Sequence, residues 1–308
     1  PKMARPASPD APRKRIWSLV YRELLRHAIP DSRFNCDFLH FVPDFRDSGA
    51  ATSRVAELPA YAAASTILVT ADNSLEGLRA RALKDGKKVL VATYRLRRGF
   101  VLLDPARIAE SRFELAACLD GMEKTGVGRS VSLAQLRDEG VRVDLCVTGG
   151  LVFSSSGVVI WEGTSLFEVQ WALLQDLGVL KAETPVVAVA HTCQVVDEAA
   201  LGMEAFVPLS KGEVQCDFVA TPERLVEIKG AVKHAGGVDF DTMEQDVLDN
   251  IQPLQELRGI RMVEQIMSKN GFGKEKEKEQ EEEKSKTPSK EEQMGIDIVE
   301  RLMRGLKG

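Results

Sequence analysis

The sequence predicts an α/β fold, a three-layer sandwich with a mostly parallel sheet. Two observations carry this. Short, Val-rich and almost wholly apolar runs recur along the chain (TILVTA, KVLVAT, DLCVTGG, PVVAVAH, CDFVATP), as expected of strands covered on both faces. Helical periodicities separate them, and strands alternating with helices build parallel sheets through right-handed crossovers. The 308 residues exceed the usual span of one domain, and 44% of them are apolar, enough for a sizeable core.

In order, RKRIWSLVYRELLRHA (13–28) sets Ile16, Leu19, Val20, Leu24 and Ala28 on one helical face, opposite Arg and Glu. A second helix is expected near 49–63 and a strand at 66–71. SLEGLRARALKDG then reads as a helix that Gly86 can end. A strand at 87–92, a helix through FELAACLDGM, a strand at 143–149 and a helix at FEVQWALLQDLG follow, with further strands at 185–191 and 215–220. DTMEQDVLDNIQPLQELRGIRMVEQIMSKN reads as amphipathic helix interrupted at Pro253. It brackets a domain spanning 13–268, preceded by a flexible segment over 1–12. Residues 269–293 form a charged low-complexity tether; KEKEKEQEEEKSKTPSKEEQ within it has six Lys, eight Glu and no apolar residue. MGIDIVERLMRGLKG (294–308) regains helical spacing at Ile296, Val299, Leu302, Met303 and Leu306. An amphipathic helix beyond a tether suits docking on its own chain or on a protein partner.

A net charge of -5 argues against nucleic acid as the main partner. No apolar run reaches the ~18 residues of a membrane-spanning helix, and no secretory core is visible near the start. The five cysteines (36, 118, 146, 193, 216) include no CxxC pair, which excludes a zinc ribbon and speaks against a disulfide framework. A reducing, cytoplasmic setting is expected, in preference to a mitochondrial one.

The chemistry-bearing segments are ambiguous on their own. TGVGRS lacks the Lys-Ser/Thr of a P-loop. DLCVTGG runs a strand into Gly149 and Gly150, where backbone N–H groups can approach a phosphate, although Gly-Gly turns also end ordinary strands. In SSSGVVIWEGTSLFEVQ a turn at Gly157 precedes Gly163, Thr164 and Ser165 and then a helix. With Ser165 as N-cap, Glu168 falls at N3, which fits either a capping box or a phosphate and Mg²⁺ site. His191 ends an apolar strand, where ligands of α/β sheets gather and where a satisfied histidine can equally sit.

Read in order, RKRIWSLV, VPDFRDSGAATSRVAELPAYAAASTILVTADNSLEGLRARALKDGKKVLVATYRL, RRGFVLLDP, VDLCVTGGLVFSSSG, TPVVAVAHTCQVVD and CDFVATPERLV resemble the 5-formyltetrahydrofolate cyclo-ligase family. The likeness is to its divergent branch of methenyltetrahydrofolate synthetase domain-containing proteins and covers about residues 13–258. It implies a fold related to ribose-isomerase and CoA-transferase-like sheets. It also implies an ATP- and Mg-dependent conversion of the reduced folate 5-formyltetrahydrofolate to 5,10-methenyltetrahydrofolate. By the same resemblance Arg13, Gly149, Gly150, Gly157, Gly163, Thr164 and Ser165 would hold phosphate, and Glu168 would hold the metal. Phe45, His191 and Gln194 would line the folate pocket.

The nucleotide loop departs from the family pattern. Val159 replaces an Arg, Trp161 and Ser165 replace glycines, and Glu162 brings a negative charge. Two functions are therefore expected. One is an ATP-dependent cyclo-ligase acting on a folate or a related formylated heterocycle. The other is a catalytically degenerate folate- or protein-binding module.

Overall fold

The structure, a computed structural model, describes residues 11–202, 213–233, 236–241, 243 and 245–269. It divides into a unit Pro1–Leu257 and a unit Arg258–Gly308. The sequence readings for residues 1–10, for the tether from 270 onward and for the terminal helix at 294–308 lie outside the described residues.

The chain opens with α1 (Ala11–His27), followed by the two-residue strands β1 (Ala28–Ile29) and β2 (Asp44–Phe45), which pair antiparallel. The single helix expected near 49–63 is two, α2 (Ser48–Ala56) and α3 (Pro59–Ala63). Leu58 between them is extended (φ -67, ψ 137), because a residue before proline avoids the helical region. Then come β3 (Thr66–Val69), α4 (Glu76–Lys84), β4 (Lys88–Ala92), β5 (Phe100–Leu103), α5 (Phe113–Ala117), β6 (Arg129–Val131), α6 (Leu133–Asp138) and β7 (Leu145–Thr148). α5 stops short of the expected FELAACLDGM, with Cys118 extended and Gly121 folding back. A Cβ at Gly121 would stand 1.9 Å from the Leu115 carbonyl oxygen, so only glycine can make that return.

The second half holds β8 (Val152–Ser154), β9 (Val159–Trp161), α7 (Phe167–Asp176), β10 (Val186–Val189), β11 (Val195–Val196), β12 (Phe218–Ala220), β13 (Leu225–Glu227), α8 (Gln245–Asn250) and α9 (Gln252–Lys269). The helical segment is interrupted, as expected, next to Pro253, with the break at Ile251 between α8 and α9. The proline stands in the first turn of α9, where its missing N–H costs nothing.

Eight strands form the central sheet in the order β13-β12-β10-β7-β3-β4-β5-β6. The five in the middle, β12 to β4, run parallel, and β13, β5 and β6 are antiparallel additions at the edges. Every residue of β3, β7 and β10 is buried, as in a sheet covered on both faces. Ile67, Val69, Val89, Val91, Leu145, Val147, Val187 and Val189 pack with Val55, Leu78 and Ala82 of α2 and α4. The residues between them, such as Leu68, Leu90, Cys146 and Ala188, are equally buried on the other face.

A second, smaller core lies beside this sheet. Ile16, Val20 and Leu24 of α1 pack on Phe38, Phe41 and Val42 and on Leu151, Val152 and Ile160. The last three belong to the segment around the three-stranded sheet β11-β8-β9. Among the described residues no helix is long and apolar enough to cross a membrane. All five cysteines are free, with Cys146 and Cys216 buried.

Candidate functional site

Parallel pairing of β3, β7 and β10 (Leu68 opposite Cys146, Ala188 opposite Thr148) carries Thr70, Gly149 and His191 off the same, carboxyl edge of the sheet. At its centre is Asp72, 5% exposed. Its Oδ2 accepts the Thr70 hydroxyl at 2.5 Å and the Gly149 N–H at 3.0 Å, and its Oδ1 accepts the Ser165 hydroxyl at 2.8 Å. Burial pushes the Asp72 carboxyl above its ordinary value, against these donors and the charge of Arg79. Arg79 of α4 is itself buried and fixes the loop from behind. It donates to the carbonyls of Thr70 (2.7 Å), Asp72 (3.1 Å) and Ala117 (2.8 Å). Gly149 is required here, since a Cβ would lie 2.7 Å from Asp72 Oδ2.

Ser165 is therefore not the N-cap of α7, and the capping box with Glu168 does not form. The cap position belongs to Leu166, in left-handed conformation (φ 49, ψ 39) and without a side-chain cap bond. Ser165 is drawn inward by Asp72, and its carbonyl accepts from Gln170 Nε2 at 2.6 Å. An N–H group left at the start of α7 turns to Glu162. Its carboxylate accepts the Glu168 N–H at 3.3 Å. Beside it, Glu168 Oε1 accepts the Val214 N–H at 3.4 Å.

Burial pushes Glu162 up to about 7. Burial and then the charges of Glu162 and Glu213 push Glu168 up to about 8, with Arg13 acting the other way. Arg13 stands 3.2 Å from Glu213. Trp161, just before Glu162, stacks on Trp17 of α1 with centroids 6.1 Å apart. The start of α7 thus carries a pair of half-buried carboxylates, next in the chain to a stacked pair of indoles.

His191 opens a short 3-10 turn (Thr192–Gln194), so the strand ends before Cys193. Its ring stacks on His27 at 4.1 Å and meets the Phe45 ring edge-on at 5.7 Å. Burial and then His27 hold His191 below its ordinary value. Gln194 is 1% exposed and fully engaged. It accepts the His191 N–H at 2.8 Å and donates to the carbonyls of Gly150 (2.8 Å) and Leu151 (3.2 Å). Phe45 is 2% exposed. Phe45 and Gln194 therefore shape the wall behind His191.

The structure brings Gly149, Gly150, Ser165, His191, Gln194 and Phe45 to one edge. Thr164 lines a cleft with Asp72, Asn73, Phe34, Phe41 and Tyr94. Arg13 and Glu168 stand with the Glu162–Glu213 acids. Gly157 is elsewhere, at the far turn of the β8–β9 hairpin with φ +84, where a Cβ would meet the Cys216 carbonyl at 2.7 Å. That turn accounts for the glycine. Reading the sequence missed Asp72, Thr70 and Arg79. The available signal was an Asp three residues after a buried strand, and an Arg on the buried stripe of Leu75, Leu78, Ala82 and Leu83. Among the described residues, no group of three or more His, Cys, Asp and Glu side chains converges as for a metal ion.

A sequence profile of the 5-formyltetrahydrofolate cyclo-ligase family matches residues 19–222. The chain is similar to the methenyltetrahydrofolate synthase domain-containing protein of Homo sapiens, 28% identical over 251 residues, 80% of this chain and 60% of that protein. The corresponding protein of Mus musculus is 29% identical over 248 residues, 80% of this chain and 62% of its own. The chain thus spans about three fifths of the length of these curated relatives. Among solved structures it is similar to the 5,10-methenyltetrahydrofolate synthetase of Aquifex aeolicus, with a TM-score of 0.41 and 13% identity over 75% of this chain and 99% of that one. With two thirds of its residues inside the family profile, the chain belongs to the 5-formyltetrahydrofolate cyclo-ligase family.

Proposed function

We propose that the chain binds a reduced folate, or a related formylated heterocycle, at the carboxyl edge of its sheet and does not turn it over with ATP. The observation that carries this is the Glu162 carboxylate at the start of α7, where it accepts the Glu168 N–H. The N–H groups of a helix start are the donors offered to an incoming phosphate. In this chain a carboxylate already holds that place, and the hydroxyl of Ser165 is spent on Asp72. An added phosphate would also face the negative charge of the Glu162–Glu168–Glu213 group. These residues do not fit a triphosphate.

Binding of the heterocycle is supported by family membership and by the character of the edge. Phe34 stacks on Phe41 and Tyr94 with centroids 5.6 and 5.8 Å away. The cleft they line with Asn73, Asp72 and Thr164 measures about 20 Å³ and must widen to admit a flat ring. Aromatic faces with an amide and a carboxyl nearby suit a polar heterocycle.

A second reading is MgATP-dependent formation of 5,10-methenyltetrahydrofolate with Glu168 as the metal carboxylate. It is favoured by the raised pKa values of Glu162 and Glu168, since a pair that holds a proton near neutrality can release it to a divalent cation. One experiment separates the two. Thermal unfolding is followed with 5-formyltetrahydrofolate, and absorbance of methenyltetrahydrofolate is followed after MgATP is added. Folate at a hundred times its Kd stabilises by about 2.7 kcal/mol. The proposal expects that stabilisation and no new absorbance. Absorbance that depends on MgATP supports the second reading, and absence of any folate effect removes the first.

A further inference from the structure

A larger cavity lies on the opposite edge of the sheet, where β3, β4 and β6 begin, β5 ends and the approach to β7 passes. Its volume is about 540 Å³, within the range of small-molecule sites. Four cations line it, Lys88, Arg107, Arg129 and Arg142, against three carboxylates, Asp104, Glu139 and Asp144.

The pairing among these groups is uneven. Asp144 Oδ2 is occupied by the N–H groups of Ser65 (2.8 Å) and Thr66 (3.0 Å). Glu139 is held by both arms of Arg129, at 2.9 and 2.6 Å. Asp104 alone then serves Lys88 at 3.6 Å and Arg107 at 3.9 Å, both beyond hydrogen-bond length. Its other oxygen accepts the Ala106 N–H at 3.0 Å. Arg142 donates to the Gly178 carbonyl and has no carboxylate partner among the described residues. Lys88 and Arg107 therefore share Asp104, and Arg142 adds a third cation from a separate segment to the same concave space. The Lys88 and Arg107 side chains are 51% and 75% exposed, so no packing holds them away from the cavity.

We propose that this cavity binds a small molecule through a phosphate group, held by Lys88, Arg107 and Arg142. Guanidinium forks and an ammonium converging from different sides match the several oxygens of a phosphate. The site lies across the sheet from the Asp72 edge, so the assignment is independent of the folate reading and of the closed start of α7.

The test is a titration of the full chain with inorganic phosphate at low ionic strength, read by amide nitrogen–proton NMR. Saturable shifts are expected at Gly126, Gly128 and Gly140, with Gly149 and Gly163 unmoved. In the double variant Lys88→Gln, Arg107→Gln, whose exposed side chains leave the core intact, the apparent Kd should rise at least ten-fold. Shifts that do not saturate, that appear equally with chloride at matched ionic strength, or that centre on Gly149 and Gly163 would overturn the proposal. So would an unchanged Kd in a double variant whose spectrum otherwise overlays the parent's.

Discussion

Replacing Asp72 by alanine removes the acceptor around which the carboxyl edge is organised. Three donors point at it: the hydroxyls of Thr70 and Ser165 and the Gly149 N–H. They would not be stranded equally. The Gly149 N–H retains Thr70 Oγ1 at 3.1 Å, and the Ser165 hydroxyl retains the Gly149 carbonyl at a long 3.4 Å. Only the Thr70 hydroxyl loses its acceptor outright. At about 1–3 kcal/mol for the one stranded buried donor, and with the weakening of the other two bonds set against the relief from removing a buried charge, Asp72→Ala should cost about 1–3 kcal/mol. Asp72→Asn keeps an oxygen for Thr70 and Gly149 and offers Ser165 an amide to accept from, so its cost should stay below about 1.5 kcal/mol. Urea denaturation followed by circular dichroism reads both as shifts in midpoint at unchanged slope. The reasoning fails if the alanine variant lies within about 0.5 kcal/mol of the parent, or if asparagine costs as much as alanine.

Further predictions follow from the same contacts. Glu162 and Glu168 have folded pKa values above the carboxylate norm, up to about 7 and about 8. The folded chain therefore binds more protons than the unfolded one from about pH 4.5 to 8, and stability should fall as pH rises through that window. Glu168→Gln should flatten this slope when midpoints at pH 5 and pH 8.5 are compared. Gly149→Ala sets a Cβ against Asp72 and should lower stability by about 1–3 kcal/mol in thermal unfolding. Trp161→Ala removes the partner of Trp17 and should cost about 2–3 kcal/mol while shifting the fluorescence of Trp17 to the red. Unchanged emission from Trp17 would contradict the stacking.

The five parallel strands were legible in the sequence because burial on both faces leaves an unbroken apolar run, as in TILV and VVAV. The antiparallel edges were not. FVLL of β5 is as apolar and as long as TILV, but it follows Arg97-Arg98-Gly99 with no helical pattern before it, and β6 (RSV) and β13 (LVE) each include a charged residue that breaks the apolar run. The gathering of Gly149, Ser165 and His191 was readable from their places after strands and before a helix. What Ser165 does was not, since a capping box and an inward hydroxyl need the same residue. The choice was made by Asp72, 93 positions away in the chain. Glu162 likewise read as a charge added to a phosphate loop. Only the left-handed Leu166 and the position of β9 show it reaching over to cap α7.

The central claim is that Glu162 stands where a phosphate would bind. Calorimetric titration of MgATP into the parent chain and the Glu162→Ala variant, side by side, tests it most directly. The account predicts no saturable heat from the parent at millimolar MgATP. It predicts measurable binding to the variant, in which the Glu168 N–H is freed and the carboxyl group is gone. A Kd below about 1 mM in the parent, equivalent to about -4.1 kcal/mol, or no binding in either protein, would contradict it.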